Sequence, residues 1–262
     1  MIKSGIVSVT FRQLSPDEII TLVTEARLTA IEWGGDIHVP HGKPDTARRV
    51  GARTRDAGLE IASYGSYYRV GESEQAGLNF ENGLETAMAL GAPLIRIWAG
   101  RRGPKDADER YREMIASETR RIAELASEAG LRIAYEYHGN TLTETPESTC
   151  ALLQAVGHAN VFTCWQVPNN NSPEQRDASL EAVLPYLANI HVFHLRLENG
   201  ERRRCPLIEG EIDWIRYLHM ISSTGRPHYA LIEFVQGDDP ASFLRDAATL
   251  REWLDSKFKI SY

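Results

Sequence analysis

The chain predicts a single (β/α)8 barrel over residues 1–262, and three observations carry that prediction. A phrase recurs in which an amphipathic segment closes on a small turn residue and runs into a short apolar stretch. Eight such stretches fit into the length of one large domain. Several of them end in a glutamate or histidine, placing acid–base groups where strands leave the packed interior.

The first apolar run, at about 4–10, precedes Ser15-Pro16-Asp17-Glu18. There serine caps a helix, proline takes its first turn and Glu18 completes a capping box. The second run, 29–33, holds Ala30-Ile31-Glu32-Trp33. Asp56-Ala57-Gly58 leads into the third at 59–64, Leu90-Gly91-Ala92-Pro93 into the fourth at 94–98, and Glu128-Ala129-Gly130 into the fifth at 131–136. Glycine closes these helices because it accepts the left-handed conformation that ends them. The remaining runs are expected at 160–165, 189–195 and 228–233. They are short and nearly continuous in apolar character, as in parallel strands covered on both faces. A doubly wound sheet is the competing arrangement, and no low-complexity linker marks a domain boundary.

Composition narrows the function. With 42% hydrophobic and 25% charged residues the chain is ordinary globular protein, and its net charge of −7 opposes a nucleic-acid footprint. Arg101-Arg102 and Arg202-Arg203-Arg204 read as solvated loop charge. Cys150, Cys164 and Cys205 are odd in number and lack metal-type spacing, which fits a reducing cytoplasm better than a disulfide framework. No stretch approaches a membrane span, so a cytoplasmic protein with no membrane partner is expected. A homo-oligomer is compatible with the sequence.

The candidate chemistry lies at strand ends. Glu136 and Glu233 close the fifth and eighth runs, and alternation puts Ala134 and Leu231 on their respective faces. His194 closes the seventh run. His191, three residues earlier, is expected on the opposite face, and His138 shares the face of Glu136 further into a loop. Gln166 follows the sixth run and offers an amide oxygen suited to a hard or borderline metal ion.

Glu136, Gln166, His194 and Glu233 on four successive strands resemble the sugar isomerase/epimerase family of xylose-isomerase-like barrels. Ala30-Ile31-Glu32-Trp33, Ile95-Arg96-Ile97-Trp98-Ala99-Gly100, Glu136-Tyr137-His138-Gly139-Asn140-Thr141 and the closing helix from Pro240 to Trp253 are similar to it as well. The resemblance implies that these four residues hold one divalent metal ion, manganese before cobalt, magnesium or zinc. It also implies that Glu136 and Glu233 exchange a proton with the substrate carbon beside a carbonyl. Gln166 stands where the family usually has aspartate, which removes a negative charge, and Asn169 stands where several epimerases have histidine. Arg196 falls near a basic residue that reaches substrate. Trp33, His38, Tyr64 and Trp98 are expected to surround the same mouth, together with His138, although core packing accounts for each aromatic equally well.

The function expected from the sequence is a metal-dependent isomerase or epimerase of a small carbohydrate, a ketose or keto-sugar derivative, working through an enediolate. A lyase or dehydratase with the same metal and one base is the alternative. A non-catalytic sugar-binding barrel and an abasic-site endonuclease rank lower, the latter because it needs a metal cluster and a DNA-binding face.

Overall fold

The computed structural model describes residues 1–168, 171–198 and 200–256. Eight parallel strands close a barrel: β1 (Ile2–Val7), β2 (Ala30–Gly34), β3 (Glu60–Arg69), β4 (Leu94–Trp98), β5 (Arg132–Glu136), β6 (Val161–Gln166), β7 (Leu187–Val192) and β10 (His228–Ile232). Neighbours follow chain order, and β10 pairs β1 to complete the circle. Between β7 and β10 a two-stranded antiparallel hairpin stands outside the barrel, formed by β8 (His194–Glu198) and β9 (Glu201–Cys205).

The expected helices form. The first, α1 (Pro16–Glu25), opens on the Ser15–Glu18 capping box with proline in the first turn. It is followed by α2 (Pro44–Asp56), α3 (Phe80–Leu90), α4 (Glu109–Glu128), α5 (Pro146–Val156), α6 (Pro173–Val183), α7 (Glu211–Ser222) and α8 (Pro240–Ser256). Gly91 and Gly157 end α3 and α5 in the left-handed conformation, where a side chain would be strained.

One large apolar cluster lies between strands and helices, including Ile6, Ile31, Ile95, Ile133, Ile190 and Ile232. Strand residues alone make two smaller clusters inside the barrel: Val7, Ala30, Ala62 and Leu231, and Leu94, Ala134, Cys164 and Ala188. Two residues further along most of these strands the interior becomes polar. That step builds the floor of the mouth.

Three expected boundaries change, one of them at the third strand, which runs past the expected end at residue 64 to Arg69. The first strand ends at Val7, because Ser8–Phe11 turns as a short 3-10 helix. The seventh ends at Val192, and His194 begins β8 instead. The run from 189 to 195 is therefore two strands with a break at Phe193.

Candidate active site

The floor of the mouth is an ionic layer. Arg96 on β4 is 2% exposed and bridges two buried carboxylates: its Nε donates to Glu32 at 2.7 Å, and its Nη1 donates to Glu136. Gly65 on β3 makes the space, since a Cβ there would stand 2.6 Å from an Arg96 Nη and 3.0 Å from Glu32. His191 sits on the other side of Glu32, with Nε2 3.6 Å from Glu32 and Nδ1 3.3 Å from Glu233. These are ion-pair distances without hydrogen-bond alignment, so neither ring nitrogen of His191 has a hydrogen-bond partner.

The charges follow from these contacts. Burial by itself raises the Glu32 and Glu136 carboxyls, but the Arg96 guanidinium and then His191 outweigh it, and both groups end below the usual carboxylate range. Burial also pulls the His191 imidazolium down, yet Glu233 and then Glu32 overcome it and push its pKa up to about 10. Desolvation of Arg96 is likewise offset by Glu136 and Glu32, which keep it protonated.

The two glutamates expected to work as a pair stand in different environments. Glu136 Oε2 accepts from Arg96 and from the indole N–H of Trp98, while Oε1 accepts from the Gln166 amide at 3.2 Å. Among the described residues Glu233 Oε2 is buried without a hydrogen-bond partner and lies 3.3 Å from His191 Nδ1. One carboxylate is saturated with donors, and the other is ion-paired with His191 but keeps an oxygen that accepts no hydrogen bond.

Above this layer opens a cleft with two lobes. One, of about 310 Å³, is lined by Arg12, Tyr67, Arg96, Trp98, Glu233 and Arg204, among others. The second, of about 600 Å³, takes in Lys105, Asn140, Gln166, Phe193 and Arg202. Glu136, His138 and Phe234 line both. His138 stacks on Trp98 with ring centroids 4.8 Å apart, Arg69 covers Trp98 at 3.6 Å, and Tyr67 meets the Trp98 edge at 5.4 Å. Burial pushes the Tyr67 hydroxyl up to about 12. Among the described residues five non-glycine residues adopt positive φ, and four of them, Tyr67, Asn140, Phe234 and Asp238, line this cleft. Such backbone conformations persist where surrounding contacts over-determine them, as at a working site.

The structure thus brings together Glu136, Gln166, Glu233, Trp98 and His138 from the sequence expectation. It places the others elsewhere. Phe193 and Leu195 face the second lobe, so His194 between them turns away, its Nδ1 packed over Gly210. His191 takes the inward position because it pairs in register with Gln166 on β6 and Leu231 on β10. Arg196 is exposed and pairs Glu209 at 2.9 Å. Trp33 is buried with its indole N–H on Thr54 of α2. His38 bonds Ser8 and Leu14, and the Tyr64 hydroxyl donates to Val39. None of these five lines the cleft. Asn169 lies outside the described residues.

Sequence reasoning did not give Arg96 or Tyr67 a role and put His191 on the wrong face. The signal for Arg96 was available: an arginine inside an otherwise apolar strand must be paired if it is buried.

A model of the xylose isomerase-like TIM barrel family matches residues 20–256. The chain belongs to that family. It is 28% identical to a protein of Bacillus anthracis called 3-dehydroshikimate dehydratase, over 88% of this chain and 90% of that one. A crystal structure of the probable 3-DHS dehydratase from the same organism superposes with a TM-score of 0.77 at 20% identity, covering 98% of this chain and all of that one. D-psicose 3-epimerase from Clostridium cellulolyticum gives 0.72 at 15% identity over 98% and 99% of the two chains. A barrel of Mycobacterium smegmatis in complex with magnesium gives 0.74 at 15% identity over 97% of each. Likeness at this identity establishes the shared fold.

A divalent ion does not fit the donors as they stand. Among the described residues no group of three or more His, Cys, Asp or Glu side chains is arranged to hold a metal. Arg96, Trp98 and Gln166 occupy Glu136, Gln166 presents its amide N–H to the site, and His194 points away. Among the described residues no helix is long and apolar enough to cross a membrane.

Proposed function

We propose that the chain is a lyase that removes water from a small keto-polyol, with Glu233 as its base. The observation that carries this reading is the buried Glu233 oxygen without a hydrogen-bond partner among the described residues, in a floor layer whose other two carboxylates, Glu32 and Glu136, accept from Arg96. A carboxylate with free lone pairs can accept a proton from carbon, whereas Glu136 would first have to break charge-assisted bonds.

In this mechanism the substrate carbonyl lies towards the Arg96 guanidinium, which stabilises the negative charge that develops on oxygen as the α-proton moves to Glu233. The C–H electron pair forms the enolate. Its collapse forms the C=C bond and expels the β-hydroxyl, which takes the proton back from Glu233 and leaves as water. One carboxylate serves both halves, and it ends as it began. The Trp98–His138 stack and Phe234 supply an apolar wall against the carbon skeleton. The name of the Bacillus anthracis relative supports the reaction class. Isomerase or epimerase chemistry, expected from the sequence with Glu136 and Glu233 exchanging protons, would require Glu136 to be released from Arg96.

The test is incubation of the wild-type protein in D2O with 3-dehydroshikimate and a panel of ketoses and keto-polyols. Deuterium uptake at carbon together with product short by one water supports the lyase. Uptake with an isomeric product, and no loss of water from any compound, would replace it with an isomerase.

A further inference from the structure

We propose that the Arg96 guanidinium is a built-in substitute for a divalent metal ion, so that the mouth of this barrel does not bind one. The inference concerns the cation at the centre of the site and stands apart from which reaction the site performs.

Four features converge on it. The guanidinium is anchored from both sides by Glu32 and Glu136, at 0% and 4% exposure, so it is a fixed part of the floor. Gly65 leaves it room that any other residue would fill, since even one added carbon would stand 2.6 Å from an Nη. The sixth-strand residue, where the family resemblance leads one to expect aspartate, is Gln166. Its amide donates to Glu136 and to the Tyr137 carbonyl at 2.9 Å, completing the neutral shell around an anion that already has its cation. The histidine that would complete a metal cage, His194, is instead on the external hairpin.

The charge balance agrees. Glu32, Glu136 and Glu233 contribute three negative charges; Arg96 bonds two of them, Glu32 and Glu136, and His191 stands within ion-pair distance of Glu32 and Glu233. A divalent ion coordinated by Glu136 would have to share that carboxylate with a guanidinium already bonded to it, and like charges at such separation in a buried site repel strongly. A neutral amide at Gln166 and a buried guanidinium at Arg96 therefore act together on Glu136, and both leave it without a free oxygen for a metal ion. The guanidinium cannot dissociate, so the site would be indifferent to chelators.

Titration of the purified protein with Mn(II), followed by electron paramagnetic resonance of free Mn(II) and by elemental analysis after desalting, tests this without any substrate. The wild type is expected to retain no stoichiometric manganese. Arg96→Met removes the cation and keeps the three carboxylates, and is expected to bind Mn(II) at least about tenfold more tightly than the wild type. One equivalent of manganese held by the wild-type protein and lost in Glu136→Gln overturns the proposal, whether or not Arg96→Met folds. An Arg96→Met protein that folds yet binds Mn(II) no better than wild type overturns it as well.

Discussion

Two layers of the barrel interior sit two residues apart on the same strands and are built from opposite chemistry. Ala30, Leu94, Ala134, Cys164 and Leu231 form the lower one, packed without charge. Glu32, Arg96, Glu136, Gln166 and Glu233 form the upper one, where nearly every polar atom has a partner. One step of the two-residue strand period carries each chain direction from core to site. The lower layer needs only shape, and small or branched side chains fill it. The upper layer must solve an electrostatic problem first, and it leaves one oxygen of Glu233 and the ring nitrogens of His191 without hydrogen bonds.

That contrast can be broken most severely at Arg96. Arg96→Met leaves Glu32 and Glu136 buried without their cation, and is expected to cost about 3–5 kcal/mol in denaturant unfolding. The loss should depend on pH. In the wild type both carboxyls titrate below their ordinary value, so the stability they bring is fully present above about pH 5 and is lost as pH falls through the lowered folded values. The variant lacks that contribution, so the gap to wild type should narrow towards low pH. A gap that is constant with pH would mean that Arg96 acts through packing alone.

The lower layer gives the control. Leu94→Ala, two residues before Arg96 and fully buried, is expected to cost about 3 kcal/mol through the cavity it leaves, with no added pH dependence between pH 3 and pH 7, roughly. A pH-dependent loss at this position would show that the two layers are not separable.

A finer comparison uses one donor. Trp98→Phe keeps a ring beside His138 but removes the N–H that bonds Glu136, and is expected to cost about 2 kcal/mol. Smallest of all should be His194→Gln. Its ring, at the start of the external hairpin, packs against Gly210, so turnover should stay within about twofold of wild type, whereas His191→Gln, beside Glu233, should lower it at least about tenfold. Equal losses at the two histidines would restore the role that the sequence suggested for His194.

Much of the fold was legible in the chain because local signals agreed with it. The Ser15–Glu18 box, the glycines that end helices, and the apolar runs each specify a local conformation, and together they leave room for few topologies. At the site, Glu136, Gln166, Trp98 and His138 were legible because each follows a run that stays regular to its end. His191 and His194 were exchanged because alternation fixes only which residues share a face: His191, Phe193 and Leu195 do, and the resemblance put His194 on the inward one instead. Trp33, His38 and Tyr64 look the same in sequence whether they face the mouth or the helices. Their partners Thr54, Ser8 and Val39 come from other elements and decide the matter only in three dimensions.

Of the carboxylates in the ionic layer, Glu233 has the oxygen without a hydrogen bond and is the one placed to take a proton from carbon. Solvent deuterium exchange into whichever panel compound the wild type labels, compared between wild type and Glu233→Gln, tests it most directly. The amide keeps the shape of the side chain but cannot accept the proton. Exchange is expected to fall by a factor of about 10² or more while the folded structure persists. Exchange by Glu233→Gln at the wild-type rate would contradict the claim and return the search for the base to Glu136.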